Sequence, residues 1–476
     1  MTAVAGCCRT LELKYGIPTA PLSTIAFENV VQEDREFYGV PLRFMYTPHP
    51  VVSMPPPVLR GYIEGKDPAT GRRLVDEVLE ALTKPYTTEE SKNLAVVRPV
   101  PQRQRLLEAD TEDNLQRLFL ERGWTDGLPI VLPTEERVAE MLSGTRQPPD
   151  KLVGKAFMVD TQEDLKISVE TVAIAAVMAG ARPEHLPVLL AIASTGQPAI
   201  QPSTLPFASA LLVNGPIRNE IGINSGMGAF GPYSRANAVI GRTWTLMSIV
   251  WGYARRKRTF WTSQGNNYSY NNLCMAENEE RSVWEPFHVQ KGHKQEESVV
   301  SLFRGWNLLN SMGAAARRSW GEEVKLQMQA LPALYSGATL ILDPMLARHL
   351  KENEGLQTKL DVSRWVSENV RMTARQFWEN DIIDMLVAPL AASGVQPYAA
   401  WKQLPGNALI APYHRPEKVN ILVVGGETSP LWKISDFDYT TTASIDKWRA
   451  KAPPGTQDKG DREVQESGSA YEAPEN

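Results

Sequence analysis

GATLILDP, residues 337–344, is the stretch whose reading decides the fold. Five apolar or β-favouring residues run without alternation, which predicts a strand covered on both faces. Asp343 and Pro344 then stand where a helix would take its N-cap and first residue. Strand and helix joined with no intervening loop is the unit of an α/β domain. ASALLVNGP at 208–216 and VNILVVGG at 419–426 have the same buried-strand character, and the second is read as the last hydrophobic strand, ending in glycines. Before both of them the spacing of Val169, Val172, Ala173, Ala176 and Val177 predicts a helix, and another is expected over 183–193. Upstream, Asp110 is expected to cap a helix carrying Leu115, Leu118 and Phe119. LPIVLP at 128–133 reads as a short strand, and Thr134 is expected to cap a helix through Leu142. Downstream, Asp361 is expected to open a long helical region to Leu386.

Working outward, residues 1–83 form a Pro-punctuated α/β unit of their own. It has a helix over 8–15, strands entering at Ile17 and Leu42, and a helix over about 72–82. Residues 84–108 read as a linker and 109–449 as a larger mixed α/β domain. Residues 450–476, an acidic tail with three basic and six acidic groups, are expected to be disordered. The fold class is therefore α/β, a small N-terminal domain followed by a larger mixed one, in a chain of 476 residues with 42% apolar and 22% charged side chains.

A net charge of −5 offers no general attraction to nucleic acid or to an anionic membrane. The two longest apolar regions are interrupted by charged residues before reaching the length of a spanning helix. Three cysteines, Cys7, Cys8 and Cys274, make neither a disulfide framework nor a four-cysteine zinc site. The expectation is a soluble, cytoplasmic protein with a small-molecule substrate, able to form a homo-oligomer, without nucleic-acid or membrane partners.

Charge is unevenly spread. Residues 221–276 contain no Asp or Glu yet carry Arg235, Arg242, Arg255, Arg256, Lys257 and Arg258. Within them lies GINSGMGAFGPYSRANAVIGR, residues 222–242. Gly226, Gly228 and Gly231 satisfy GxGxxG, but no strand directly precedes them and no acid follows at ribose-binding distance, so dinucleotide binding has no support. There is no GK[ST] ending for ATP and no HExxH-like spacing for zinc, so the cofactor stays unknown and no metal ligands are assigned. The glycines and a helix expected to start near Ser234 suit an anion instead. Asn214, Gly226, Gly228, Arg235, Asn237 and Arg242 are the candidate substrate-binding residues. The alternative is an ordinary loop whose arginines meet acids from elsewhere.

NNLCMAENEERSVWEPFHV, residues 271–289, follows at once. Crowded carboxylates can hold one proton for acid/base work, so Cys274, Glu277 and Glu280 are candidate catalytic residues. They could equally answer basic groups structurally. His49, held between two prolines in TPHPV, is the fourth candidate. Cys7 and Cys8, being adjacent, form a strained ring with difficulty.

The run LELKYGIPTAPLSTIAFENV with GVPLRFMYTPHPV resembles the UGSC-like family, named for a Sec/Cys-Gly-Ser-Cys motif, and is more distantly similar to the selenoprotein B component of glycine reductase. GWTDGLPIVLPTEERVAEML, GPYSRANAVIGR and CMAENEERSVWEPFHV resemble the large domain fused to it. The resemblance implies a thiol or selenol nucleophile near His49, on a domain read here as truncated at its N-terminus. Neither that motif nor the family's glycine- and histidine-bearing C-terminal ending occurs in this sequence. The expected activity is an enzyme of accessory or natural-product metabolism acting on a small anionic or carboxylated substrate by acid/base or thiol-assisted chemistry, lyase or reductase in kind. The alternative is a ligand-binding or scaffold protein that has lost the nucleophile.

Overall fold

The computed structural model describes residues 2–38, 41–52, 54–91, 105–158, 163–254, 259–311 and 319–450. The expected acidic tail, the basic run 255–258 and most of the expected linker lie outside them.

The strands, in chain order, are β1 (Leu22–Thr24), β2 (Met45–Thr47), β3 (Leu152–Met158), β4 (Glu163–Ser168), β5 (Ala208–Asn214), β6 (Cys274–Ala276), β7 (Val299–Gly305), β8 (Leu308–Asn310), β9 (Ala338–Leu342), β10 (Met372–Thr373), β11 (Leu409–Ile410), β12 (Val419–Val423), β13 (Trp432–Ser435) and β14 (Asp438–Ser444). Two mixed four-stranded sheets organise the large unit, in the orders β14-β7-β5-β6 and β12-β9-β13-β8. Alternate residues of each strand enter different cores. In the first sheet Leu211, Val213, Val300 and Leu302 join the core built on the helices Val169–Met178, Leu186–Ser194 and Arg235–Val250, while Ala210, Leu212, Met275 and Phe303 face the other way. In the second, Leu340, Leu342, Ile421, Val423 and Ile434 pack on the helices Trp320–Gln329, Pro344–Glu352 and Lys359–Asn369. Ile341, Leu422 and Val424 turn inward to meet the first sheet. The layers therefore run helix, sheet, sheet, helix. Each central strand is covered twice, which is why ASALLVN and ATLIL are buried at every position.

The mixed α/β class is as expected, and Asp343 and Pro344 take their expected places: the Asp343 carboxylate accepts from Met345 N at 2.9 Å and Pro344 opens the helix. Thr134 caps the helix Glu135–Leu142. Other expectations need correction. Residues 128–133 are not a strand; two prolines remove ladder donors there, and the Gln116 amide takes the place of a partner strand by donating to Ile130 O and accepting from Ile130 N. Thr111, not Asp110, is the N-cap of Glu112–Glu121; Asp110 instead accepts from the Asn114 side chain. The region 361–386 is three helices, Lys359–Asn369, Ala374–Trp378 and Asp381–Leu386, and Thr358 caps the first. β12 is not the last strand, because β13 and the Thr-rich, half-buried β14 follow it. In the N-terminal unit the helix spans Thr2–Tyr15, and β1 and β2 pair in parallel, later than the expected strand entries at Ile17 and Leu42.

Candidate functional site

The glycine-rich segment is shaped by two asparagines. Asn224 Oδ1 accepts from Gly226 N at 2.9 Å and its amide donates to Met227 O, closing a turn. Asn237, buried on the helix Arg235–Val250, accepts from Asn224 N at 2.8 Å and donates to Asn224 O and Cys274 O. Asn237 therefore holds the loop against β6 and is committed to that task. The loop meets a second one, 425–431, beyond the end of β12. Gly425 N donates to Ser225 O, and the Asn278 side chain donates to Gly425 O. Glycine is required on this second loop. A Cβ on Gly425 would lie 2.2 Å from Asp343 Oδ2, and one on Gly426 would lie 2.5 Å from Met227 N.

Between the loops lies a cleft of ≈ 450 Å³ at the C-terminal ends of the parallel pair β9 and β12. Such ends are where α/β sheets place ligands. Gly226, Gly228, Phe230, Asp343, Ser429 and Lys433 are among its lining residues. Lys433 projects from β13, where register sets it beside Ile341 and Asn310. Its Nζ donates to Asn310 Oδ1 and stands 5.3 Å from the centre of the Phe230 ring. Among the described residues no carboxylate lies within salt-bridge distance of it. Burial pushes its amine below the ordinary lysine value.

The acidic segment 277–280 has a different character. Glu277 is fully buried, and its two oxygens accept from Lys359 Nζ, Val423 N at 3.2 Å, Asn214 Nδ2 at 2.8 Å and Phe287 N at 2.7 Å. It joins the end of β6 to β5, β12 and the first residue of the helix Lys359–Asn369. Glu279 accepts from Asn214 Nδ2 and Gly215 N, and Arg218 binds it at 3.2 Å while gripping Glu280 with both terminal nitrogens. Hydrogen bonds from Arg218 hold the Glu280 carboxyl at about 2. Both oxygens of Glu277 are occupied by cation and amide donors, and Glu279 and Glu280 are each engaged by Arg218.

Cys274 is buried in β6 beside Gly241, and burial pushes its thiol up, away from the thiolate form a nucleophile needs. Arg242 pairs with Asp126 at 2.8 Å and also donates to Pro129 O. Arg235 is exposed and donates to Gly180 O. His49 is far along the chain but accessible, its Nδ1 3.1 Å from Thr24 Oγ1 at the ends of β1 and β2, with its ring edge-on to Phe27, which in turn meets Trp261.

Of the ten candidates, Gly226 and Gly228 line the cleft. Asn237 positions it from behind, Asn214 and Glu277 form a neighbouring buried pair, and Glu280 stands exposed beside them, held by Arg218. Cys274, Arg235, Arg242 and His49 are not among the cleft-lining residues. Sequence reasoning missed Lys433, Asn310, Asp343 as a lining group, Arg218 and Lys359. WKIS offers one signal for Lys433, a lone lysine inside a short strand pattern. Among the described residues no group of three His, Cys, Asp or Glu side chains could hold a metal ion, and no helix is long and apolar enough to cross a membrane. Comparison of the chain with protein-family models, with curated proteins and with solved structures finds no match.

Proposed function

We propose that the protein is an enzyme acting on a small anionic or carboxylated molecule bound in the cleft between the 226–231 and 425–431 loops. The observation that carries this reading is Lys433, a basic side chain presented to a cleft without a carboxylate partner among the described residues. As an ammonium it pairs with a ligand carboxylate; as a free amine, favoured by its burial, it accepts a proton or attacks a carbonyl. Phe230, Ile341 and Trp432 supply apolar surface to the cleft wall. The test is calorimetric titration with a panel of small carboxylates. Wild type should bind at least one with a heat that Lys433→Met loses while its thermal unfolding is unchanged. Equal binding by both proteins would refute the assignment.

A second reading, ligand binding without turnover, is favoured by the fate of the candidate nucleophile. Cys274 is enclosed and its thiol is held protonated, so thiol-assisted chemistry in the large unit has no supplier. Turnover assays on any carboxylate found to bind separate the two readings.

A further inference from the structure

Lys433 points to a substrate class, an inference that rests on the cleft being the binding site. Its Nζ has three kinds of neighbour: the amide oxygen of Asn310, the Phe230 ring and the apolar cleft wall. The Asn310 amide oxygen orients the nitrogen by accepting a hydrogen bond from it, a bond either protonation state can donate and the ammonium donates more strongly. A carboxylate partner would favour the charged form far more strongly than an amide does. Burial acts the other way, disfavouring the charged form. The aromatic face beside Nζ would steady a delocalised cation formed there. An oriented, partly desolvated amine that faces a cleft and has no carboxylate partner among the described residues is the setting in which a lysine can make a covalent bond to a carbonyl carbon.

We infer that Lys433 forms an imine with the keto or aldehyde group of a small oxo acid bound in the cleft. The neutral Nζ lone pair forms the N–C bond while the carbonyl π pair moves to oxygen. A proton passes from nitrogen to that oxygen, a second comes from solvent, and the C–O bond breaks to release water. Amine, carbonyl and one proton thus give an iminium and water, with no change of oxidation state. The iminium then draws electrons from a bond at the adjacent carbon, which makes proton abstraction or carbon–carbon cleavage there the accessible chemistry.

The test is reductive trapping on the full chain. Protein is incubated with pyruvate, oxaloacetate and phenylpyruvate, each with sodium borohydride, and digested for peptide mass analysis. The expected result is one reduced adduct on Lys433 in preference to every other lysine, lost in Lys433→Arg and Lys433→Met. Labelling spread over surface lysines with no preference for Lys433 would overturn the inference. Lactate, which has no carbonyl, separates the two claims by calorimetry. If it binds in a Lys433-dependent way and nothing is trapped, the imine is refuted and the anion site stands. If an adduct forms at Lys433 but lactate and other carboxylates do not bind, the imine stands and the anion reading fails.

Discussion

Lys359 and Lys433 belong to helix and strand of the same layer pair, yet their surroundings are opposite. Lys359 is wholly buried and meets Glu277, a carboxylate that also receives two backbone N–H groups and an asparagine amide. Lys433 is half-buried and meets an amide oxygen, a ring and an open cleft. A buried charge persists only if its partners repay the loss of water, and a site that satisfies every lone pair has none left for a ligand. The acidic cluster is therefore scaffold that stitches the two sheets together, and the glycine-lined cleft is where a cationic group stays available.

The comparison breaks most visibly at the scaffold. Lys359→Met leaves Glu277 buried without its cation and should cost about 3–5 kcal/mol in chemical denaturation. A loss below about 1 kcal/mol would mean the pair is not the tie described here. Arg218→Met removes the cation from the buried Glu279 and from Glu280, whose share is screened because it is more than half exposed, and should cost about 1–2 kcal/mol near neutral pH. Its pH dependence has a defined sign. Arg218 lowers the Glu280 carboxyl from 4.5 to about 2, so its stabilisation is complete above about pH 4.5 and is lost as pH falls towards 2. The stability gap between wild type and Arg218→Met should therefore narrow across that window; a gap that stays constant would contradict the assignment.

Gly426→Ala sharpens the other side. Its Cβ would press on Met227 N and Cα at 2.5 Å, so the loops must part, at about 1–3 kcal/mol, and ligand binding should fall with stability. Lys433→Met is the smallest expected perturbation of the fold, within about 0.5 kcal/mol of wild type, because it removes no carboxylate's partner. Ligand binding should nevertheless be lost. That inversion, large effects on stability at Lys359 and on binding at Lys433, is what distinguishes scaffold from site.

Much of this was legible in the sequence where a local rule and the tertiary environment agree. ATLILDP gave strand, cap and helix because twofold burial and N-capping act on neighbouring residues. Within the acid-free stretch 221–276, the glycines at 226 and 228 line the cleft. The roles inside it were not legible, because they depend on partners far along the chain. Arg242 is answered by Asp126, Glu277 by Lys359 and Glu280 by Arg218, separations that no spacing rule spans. LPIVLP misled because an apolar run resembles a strand whether its backbone meets another strand or, as at Ile130, a glutamine side chain. Lys433 carried almost no signal, since a lysine in a strand usually faces solvent and its availability is set by the loops 226–231 and 425–431.

Competitive labelling of lysines with trace acetic anhydride across a pH series tests the central claim most directly. It reports the reactivity and titration of each amine in one folded sample. Lys433 should be acetylated ahead of the other lysines at neutral pH, titrate below them and be protected by a bound carboxylate, while Lys359 remains unlabelled. A Lys433 that titrates with the surface lysines and gains no protection from any carboxylate would contradict it.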